Sequence, residues 1–262
     1  MGYILELKTV QTNSIKVLIE ALKEILTDAN IEFNKTGMKI VAMDSTKTIL
    51  VHLKLEAEKF DKYQCDNKLI LGVSMLNLFK LIKTITNNDT LSLFVDDNDT
   101  NVLGIIIENS EKNSRTTFKL NLMDLDEEGI EIPQQEFHSI ITMPSNDFQK
   151  ICRDMSNLSD QIEIKSVGSQ FIFSCEGDFA KQETQFGETA DGINYLKKSD
   201  EMSEIIQGYY NLKHLVLFTK CTNLCTSLKI LMKNNFPLVI VFSVGNLGEL
   251  KLALAPKVPD HS

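Results

Sequence analysis

Eight basic residues recur in pairs: Lys16 with Lys23, Lys80 with Lys83, Lys150 with Arg153, and Lys213 with Lys220. Separations of three or seven place both members of a pair on one face of a helix. Cations repeated in this way on several helices suit loose contact with a phosphate backbone, which positions a protein without reading bases. The plainer reading is that an amphipathic helix needs a polar face and lysine supplies one. Glu20 and Glu24 beside the first pair, and Asp147 and Asp154 around the third, favour that reading. The second and fourth pairs lie in stretches without any acid, although acids outnumber bases 36 to 27 along the chain. The basic faces read as free of interleaved aromatic residues, so stacking on single-stranded bases is not expected.

Other chemistries find little support. The sequence has no Gly-x-x-x-x-Gly-Lys loop, no Gly-x-Ser-x-Gly elbow and no His-Glu-x-x-His pair. Cys221 and Cys225 stand at i,i+4 spacing, but no second ligand pair accompanies them. His52, His138, His214 and His261 are far apart in sequence. Asp96, Asp97 and Asp99 look like a hairpin turn, because the glycine and closing glutamate of a calcium loop are missing. The expectation is a protein that is not an enzyme, with no catalytic residue, no metal and no cofactor. An odd, scattered set of five cysteines points to reduced thiols inside a cell, with Cys152 and Cys175 as core residues. The formal charge of −9 means that any nucleic-acid role must come from local patches. No apolar run reaches the roughly 18–20 residues of a membrane span, and Met-Gly-Tyr-Ile-Leu-Glu is not the start of a signal peptide. Glu6 also breaks a myristoylation motif.

The elements that must position these residues can be read from hydrophobic period. A strand at Glu6–Thr9 precedes a helix over Asn13–Thr27. A hairpin follows, from Ile31–Phe33 and Met38–Met43 across Gly37. Thr48–Leu55 is a strand, and Leu69–Val73 leads into a helix over Ser74–Ile85. Three strands come next, near Thr90–Val95, Val102–Glu108 and Arg115–Asn121. The order then repeats. His138–Met143 is a strand, Pro144 opens a helix, and Ile162–Ile164 with Gln170–Cys175 forms a hairpin across Gly168. Phe179–Phe186 is a strand, Gly187–Glu201 a polar loop, Met202–Tyr209 a strand and Asn211–Cys221 a helix. Leu224–Met232, Pro237–Val244 and Glu249–Leu254 complete the block. Ile31-Glu32-Phe33 with Gly37 lies over Ile162-Glu163-Ile164 with Gly168, and Lys23 falls on Arg153. A repeat of about 130 residues means two copies of one domain.

Between the copies lies Leu122–Phe137. It carries Asp124, Asp126, Glu127, Glu128 and Glu131, too much like charge to bury, and Gly129 and Pro133 stop any helix. Ile130 and Ile132 sit among those acids. The stretch is either a solvated linker or a linker that also displays apolar groups to a partner. Its Met-Asp-Leu-Asp, Ile-Pro and Gln-Glu-Phe pieces resemble the interdomain connector of the proliferating cell nuclear antigen family, the eukaryotic-type DNA sliding clamps. Further pieces of the resemblance are Glu20-Ala-Leu-Lys23, Met43-Asp-Ser45, Phe60-Asp-x-Tyr-x-Cys-Asp66 and Ile151-Cys-Arg-Asp154. Phe218-Thr-Lys220, Pro237-Leu-Val239 and Leu254-Ala-Pro-Lys257 follow in the same order.

The resemblance implies two similar α+β clamp domains, 1–121 and 138–262, with 122–137 as connector. It implies a closed ring of three subunits, helices lining a central hole and antiparallel sheets outside. The function implied is a DNA polymerase processivity factor, present in the nucleus or, for a viral protein, at a cytoplasmic replication site. A clamp-like protein that binds partners without loading on DNA is the alternative. Implied partners are a second and third copy of the chain, duplex DNA without sequence preference, DNA polymerase and a clamp loader. Other proteins carrying a glutamine-aliphatic-aromatic motif join them, and no membrane is implied. The eight basic residues would meet DNA. The motif would dock on Met43, Leu50, Ile130, Ile132, Pro133, Pro237, Ala253, Ala255 and Pro256, with Ala253 standing where many relatives have tyrosine. Subunits would meet through Phe118, Leu120, Met155, Leu158 and Phe179, pairing the Arg115–Asn121 strand with Phe179–Phe186 of a neighbour. The hairpin near Lys165 is shorter than in relatives, and the tail after Lys257 lacks their acidic run.

Overall fold

A computed structural model describes residues 2–126, 129–132, 135–199 and 204–257. The chain divides into two compact units. One takes Met1–Lys47, Val51–Glu131 and Ser243–Leu250; the other takes Thr48–Leu50, Ile132–Phe242 and Lys251–Ser262. The first elements in chain order are β1 (Tyr3–Thr9), α1 (Thr12–Ile25), β2 (Asp28–Asn34), β3 (Gly37–Met43) and β4 (Ile49–Glu56). A single tight turn at Ala57–Lys59 leads to β5 (Lys62–Gln64), β6 (Leu69–Ser74), α2 (Met75–Ile82), β7 (Asp89–Asp96), β8 (Asp99–Asn109) and β9 (Ser114–Asn121). The later elements are β10 (Ser139–Pro144), α3 (Ser145–Ser156), β11 (Gln161–Val167), β12 (Gln170–Glu176), β13 (Lys181–Gly187), β14 (Asn194–Lys197) and β15 (Ile205–Asn211). Then come α4 (Leu212–Phe218), a 3₁₀ segment at Thr219–Leu224, β16 (Ser227–Met232), β17 (Leu238–Val244) and β18 (Gly248–Leu254).

Strand order makes the repeat explicit. The first series runs β5-β1-β7-β8-β9 and β4-β3-β2-β6; the second runs β14-β10-β16-β17-β18 and β13-β12-β11-β15. Adding nine to every label of the first series reproduces the second. Both halves are therefore α+β copies of one design, with antiparallel hairpins such as β2–β3 and β11–β12.

The alternation of apolar residues sets each register. In β1, Leu5, Leu7 and Thr9 turn inward. On α1, Ile15, Leu18, Ile19, Leu22 and Ile25 form the buried stripe. α1 packs beside α2, and Ile15, Leu18 and Ile19 meet Leu78 and Ile82 over Leu7, Phe33 and Leu91. In the second unit α3 packs beside α4. Phe148, Cys152, Met155, Leu215 and Phe218 are buried there with Ile162, Ile164, Phe171 and Phe173. Each large side chain taken out of water contributes about 1.5–3 kcal/mol, so the buried stripes orient the helices and leave their polar faces outward.

Several elements differ from the sequence expectation: β5 is not among the expected strands, β13 and β16 start later than expected, at Lys181 and Ser227, and three further differences have a plain physical reason. α2 ends at Ile82, not Ile85. The Ile85 amide turns back to the Ile82 carbonyl at 3.0 Å, and the Asp89 carboxylate captures the Thr86 amide at 2.7 Å. α4 starts on the Asn211 side chain, which accepts from the Lys213 amide at 2.9 Å, but tightens into the 3₁₀ segment after Phe218. The stretch read as one polar loop contains β14. Its alternation is weak because Leu196 faces solvent, and Glu188 secures it by accepting from the Tyr195 amide at 3.0 Å.

Candidate functional site

The eight basic residues do not share one environment. Lys80 and Lys83 at the end of α2, Lys150 on α3, Lys213 on α4 and Lys220 are exposed. Among the described residues none of these five has a carboxylate within ion-pair reach. Arg153 is exposed and lies 3.8 Å from Asp154. The α1 pair is different. Lys16 is half-buried and donates from Nζ to the Ile85 carbonyl at 3.0 Å, tying α1 to the turn after α2. Lys23 pairs with Glu24, and its ammonium lies 4.9 Å from the centre of the Phe79 ring on α2. Only 16% of the Lys23 side chain remains exposed. Phe79 is thus an aromatic partner that the sequence reading passed over; its position one residue before Lys80 was the available signal.

Lys213 and Lys220 are both exposed, yet not as one row of an α-helix. Lys220 stands in the 3₁₀ segment, whose period of three breaks the seven-residue spacing. The same segment corrects the cysteine pair. Cys221 is buried, whereas Cys225 already has extended backbone at φ −153°, so their i,i+4 spacing is not helical. A cationic surface needs exposed, unneutralised side chains, and α2, α3 and α4 with the 3₁₀ segment supply most of them. Three of the basic residues, Lys23, Lys80 and Arg153, also stand in the last turn of their helices, where the helix dipole favours a cation.

The connector is held from its first residues. The Leu122 amide donates to the Asn101 carbonyl at 2.9 Å, and the Met123 amide to the Gly72 carbonyl of β6 at 2.8 Å. Asn30 on β2 reaches up with Nδ2 to the Leu125 and Asp126 carbonyls at 3.3 and 3.1 Å. Below lies an open groove of about 530 Å³, lined by Asn30, Val41, Met43, Ile70, Leu125 and Ile130. Met43 and Ile130 are therefore brought together in one groove. Asp28, Glu32, Asp126 and Glu131 join Lys39 and Lys68 around it, so its rim is mixed in charge. Asn30 and Gly72 were not legible as connector supports, because both act on main-chain atoms far away in sequence.

The second unit holds the other end. Gln135 accepts from Lys233 at 3.0 Å, Glu136 pairs with Lys197 at 2.5 Å, and Phe137 meets Phe236 edge to face at 5.7 Å. The Lys197 hydrogen bond and charge hold the Glu136 carboxyl below its usual range. Ile132 is exposed, Leu50, Pro237 and Ala253 are half-buried, and Ala255 and Pro256 are exposed. Pro133 lies outside the described residues.

Comparison with known proteins decides the family. The model of the proliferating cell nuclear antigen N-terminal domain matches residues 4–129, and that of its C-terminal domain matches residues 131–257. The chain belongs to the proliferating cell nuclear antigen family. It is 38% identical over 255 residues, covering 95% of each chain, to a "Probable DNA polymerase sliding clamp 1" of Paramecium bursaria Chlorella virus 1. It is 34% identical over 262 residues to the "Proliferating cell nuclear antigen" of Chaetomium thermophilum, covering 98% of this chain and 99% of that one.

In this member of the proliferating cell nuclear antigen family, β9 ends one strand series and β13 ends another. Phe118 and Leu120 on β9 are half-buried, and Phe179 is 78% exposed. Phe179 stands before β13, not within it, because that strand begins at Lys181. Leu158 is half-buried. Met155 needs a correction: it has no exposed surface and belongs to the interior of its own unit, where the buried stripe of α3 holds it.

Proposed function

We propose that this chain is a sliding clamp, a DNA polymerase processivity factor that works by topology and has no catalytic residue of its own. Three copies close head to tail through the β9 edge, with Phe118 and Leu120, and the β13 edge, with Phe179 and Leu158 nearby. Unpaired strand edges invite such pairing, and a heterologous contact that closes makes a ring. The helices face duplex DNA, and Lys80, Lys83, Lys150, Arg153, Lys213 and Lys220 hold its phosphates loosely, with Lys16 and Lys23 behind them. DNA polymerase, a clamp loader and other proteins with a glutamine-aliphatic-aromatic motif dock around Met43, Leu50, Ile130, Ile132, Pro133, Pro237, Ala253, Ala255 and Pro256. The work is done in the nucleus, or at a cytoplasmic replication site if the protein is viral.

One observation carries this reading: two domains of the clamp family, together spanning residues 4–257, lie in a single chain. The exposed bases on an otherwise acidic protein of net charge −9 support it. An acidic protein gains little from linear DNA, but a closed ring needs only weak contacts to slide.

The test combines mass with retention. Native mass spectrometry gives a trimer for the wild type and a shift toward monomer for Phe118→Ala. On circular duplex loaded with a clamp loader, replacing Lys80, Lys83, Lys213 and Lys220 together with alanine reduces loading and polymerase stimulation. It also flattens the salt dependence, by about 0.9 in log–log slope for each phosphate that is no longer neutralised. A monomeric wild type, or a quadruple variant that loads like wild type across the salt series, overturns the corresponding part of the proposal.

A further inference from the structure

The two repeats place the same main-chain bond at the same position. β2 and β6 pair Asn30 with Gly72, and β11 and β15 pair Glu163 with Tyr209. Those residues are equivalent, each two steps in from the helix end of its strand pair, counting from Asp28 opposite Ser74 and Gln161 opposite Asn211. The Gly72 carbonyl accepts from the Met123 amide at 2.8 Å, and the Tyr209 carbonyl accepts from the Lys257 amide at 2.7 Å. Both donors sit in the segment that follows the last strand of their series, and both make an isolated antiparallel bridge. The segment after β18 is thus the second repeat's counterpart of the connector.

That segment is anchored twice. The Ala255 amide donates to the Thr48 carbonyl at 3.1 Å, and the Lys257 amide follows two residues later. Pro256, between the two anchors, has its φ fixed by its ring and confines Ala255 to extended backbone. The Ala255 and Pro256 side chains are exposed. The result is a short stiff arm, hydrogen-bonded through the Ala255 and Lys257 amides, with exposed side chains.

We propose that the Lys257 amide is a positioning group for partner binding: by bridging to Tyr209 it holds Ala255 and Pro256 in the conformation a docking peptide meets. The proposal rests on the reading of Ala255 and Pro256 as part of the peptide site. Pre-set backbone lowers the ordering cost of binding, and it is the main-chain N–H of residue 257, not the lysine charge, that does this.

Calorimetry with a synthetic peptide carrying a glutamine, an aliphatic residue and two aromatics separates the possibilities. Lys257→Ala keeps the amide and binds within about twofold of wild type, whereas Lys257→Pro removes it and binds about fivefold more weakly, the effect of one hydrogen bond. Ile132→Ser serves as the control for the site itself. If Ile132→Ser weakens binding and Lys257→Pro does not, the positioning role is overturned and the site reading stands. If Ile132→Ser binds like wild type, the site reading falls and the inference with it. Equal losses in Lys257→Ala and Lys257→Pro assign the effect to the side chain and also overturn the proposal. Hydrogen exchange on the wild type is independent of any variant's folding: the Lys257 amide is protected, and exchange at the free-peptide rate overturns the bridge.

Discussion

Lys23 on α1 and Phe79 on α2 form a cation–aromatic contact across the seam between two helices, with the ammonium 4.9 Å from the ring centre. The contact turns a residue expected to meet DNA into one that holds α1 and α2 together. The next residue, Lys80, stays exposed.

Lys23→Ala is therefore expected to lower stability by about 1 kcal/mol, the size of a partly desolvated cation–aromatic contact. Lys23→Met keeps much of the stem over the ring and loses less. Denaturant midpoints measure both. The salt slope of DNA retention stays at the wild-type value in Lys23→Met but falls in a Lys80→Ala, Lys83→Ala variant. A slope change in Lys23→Met as large as in that variant would return Lys23 to the DNA surface.

Asp89 makes stability depend on acid. Burial alone would raise its carboxyl, but it accepts from the Thr86 amide at 2.7 Å, from Asn109 at 2.6 Å and from the Thr86 hydroxyl at 3.0 Å, with Lys112 adding charge. The net effect is a lowered pKa. A carboxyl lowered on folding contributes fully above its unfolded value of about 3.9, and that contribution is lost as pH falls through the folded value below it. Asp89→Asn should cost about 2 kcal/mol at neutral pH. The gap to wild type should close as denaturation is repeated below about pH 4. A gap that stays constant down to the acid limit would remove Asp89 from the linkage.

Gly72→Ala tests the connector anchor. A Cβ at that position would meet the Met123 carbonyl oxygen at 2.3 Å and Leu125 Cγ at 3.0 Å. The substitution should lift the start of the connector, speed hydrogen exchange at Met123, and cost about 1 kcal/mol through the broken amide–carbonyl bond. Unchanged exchange at Met123 would show that the strand edge shifts instead.

Most of the fold was legible in the sequence because period and burial agree there. Ile15, Leu18, Leu22 and Ile25 announce α1 directly, and the Gly37 and Gly168 hairpins appear at their expected places. Gly168 has φ 57°, which glycine adopts without strain. β14 stayed hidden since a four-residue edge strand buries too little to impose a pattern. Of the site, types and spacings of charges could be read, but not which lysines are already engaged. Lys16 is tied by a carbonyl 69 residues away and Lys23 by a ring on another helix, and neither tie shows in the residues beside Lys16 or Lys23.

The bond shared by Gly72–Met123 and Tyr209–Lys257 has a consequence for how such a chain can diverge. Its donor and acceptor are main-chain atoms, so the bond itself uses no side chain, although at Gly72 the missing Cβ leaves room for the Met123 carbonyl. One repeat has hydrogen where the other has a phenol ring, and a thioether where the other has an ammonium. An anchor built this way tolerates replacement of the donor's side chain and is sensitive chiefly to proline at the donor and, at Gly72, to a Cβ in the path. Selection can then rewrite what each arm displays, and so which partners it attracts, without reopening the question of where the arm is attached.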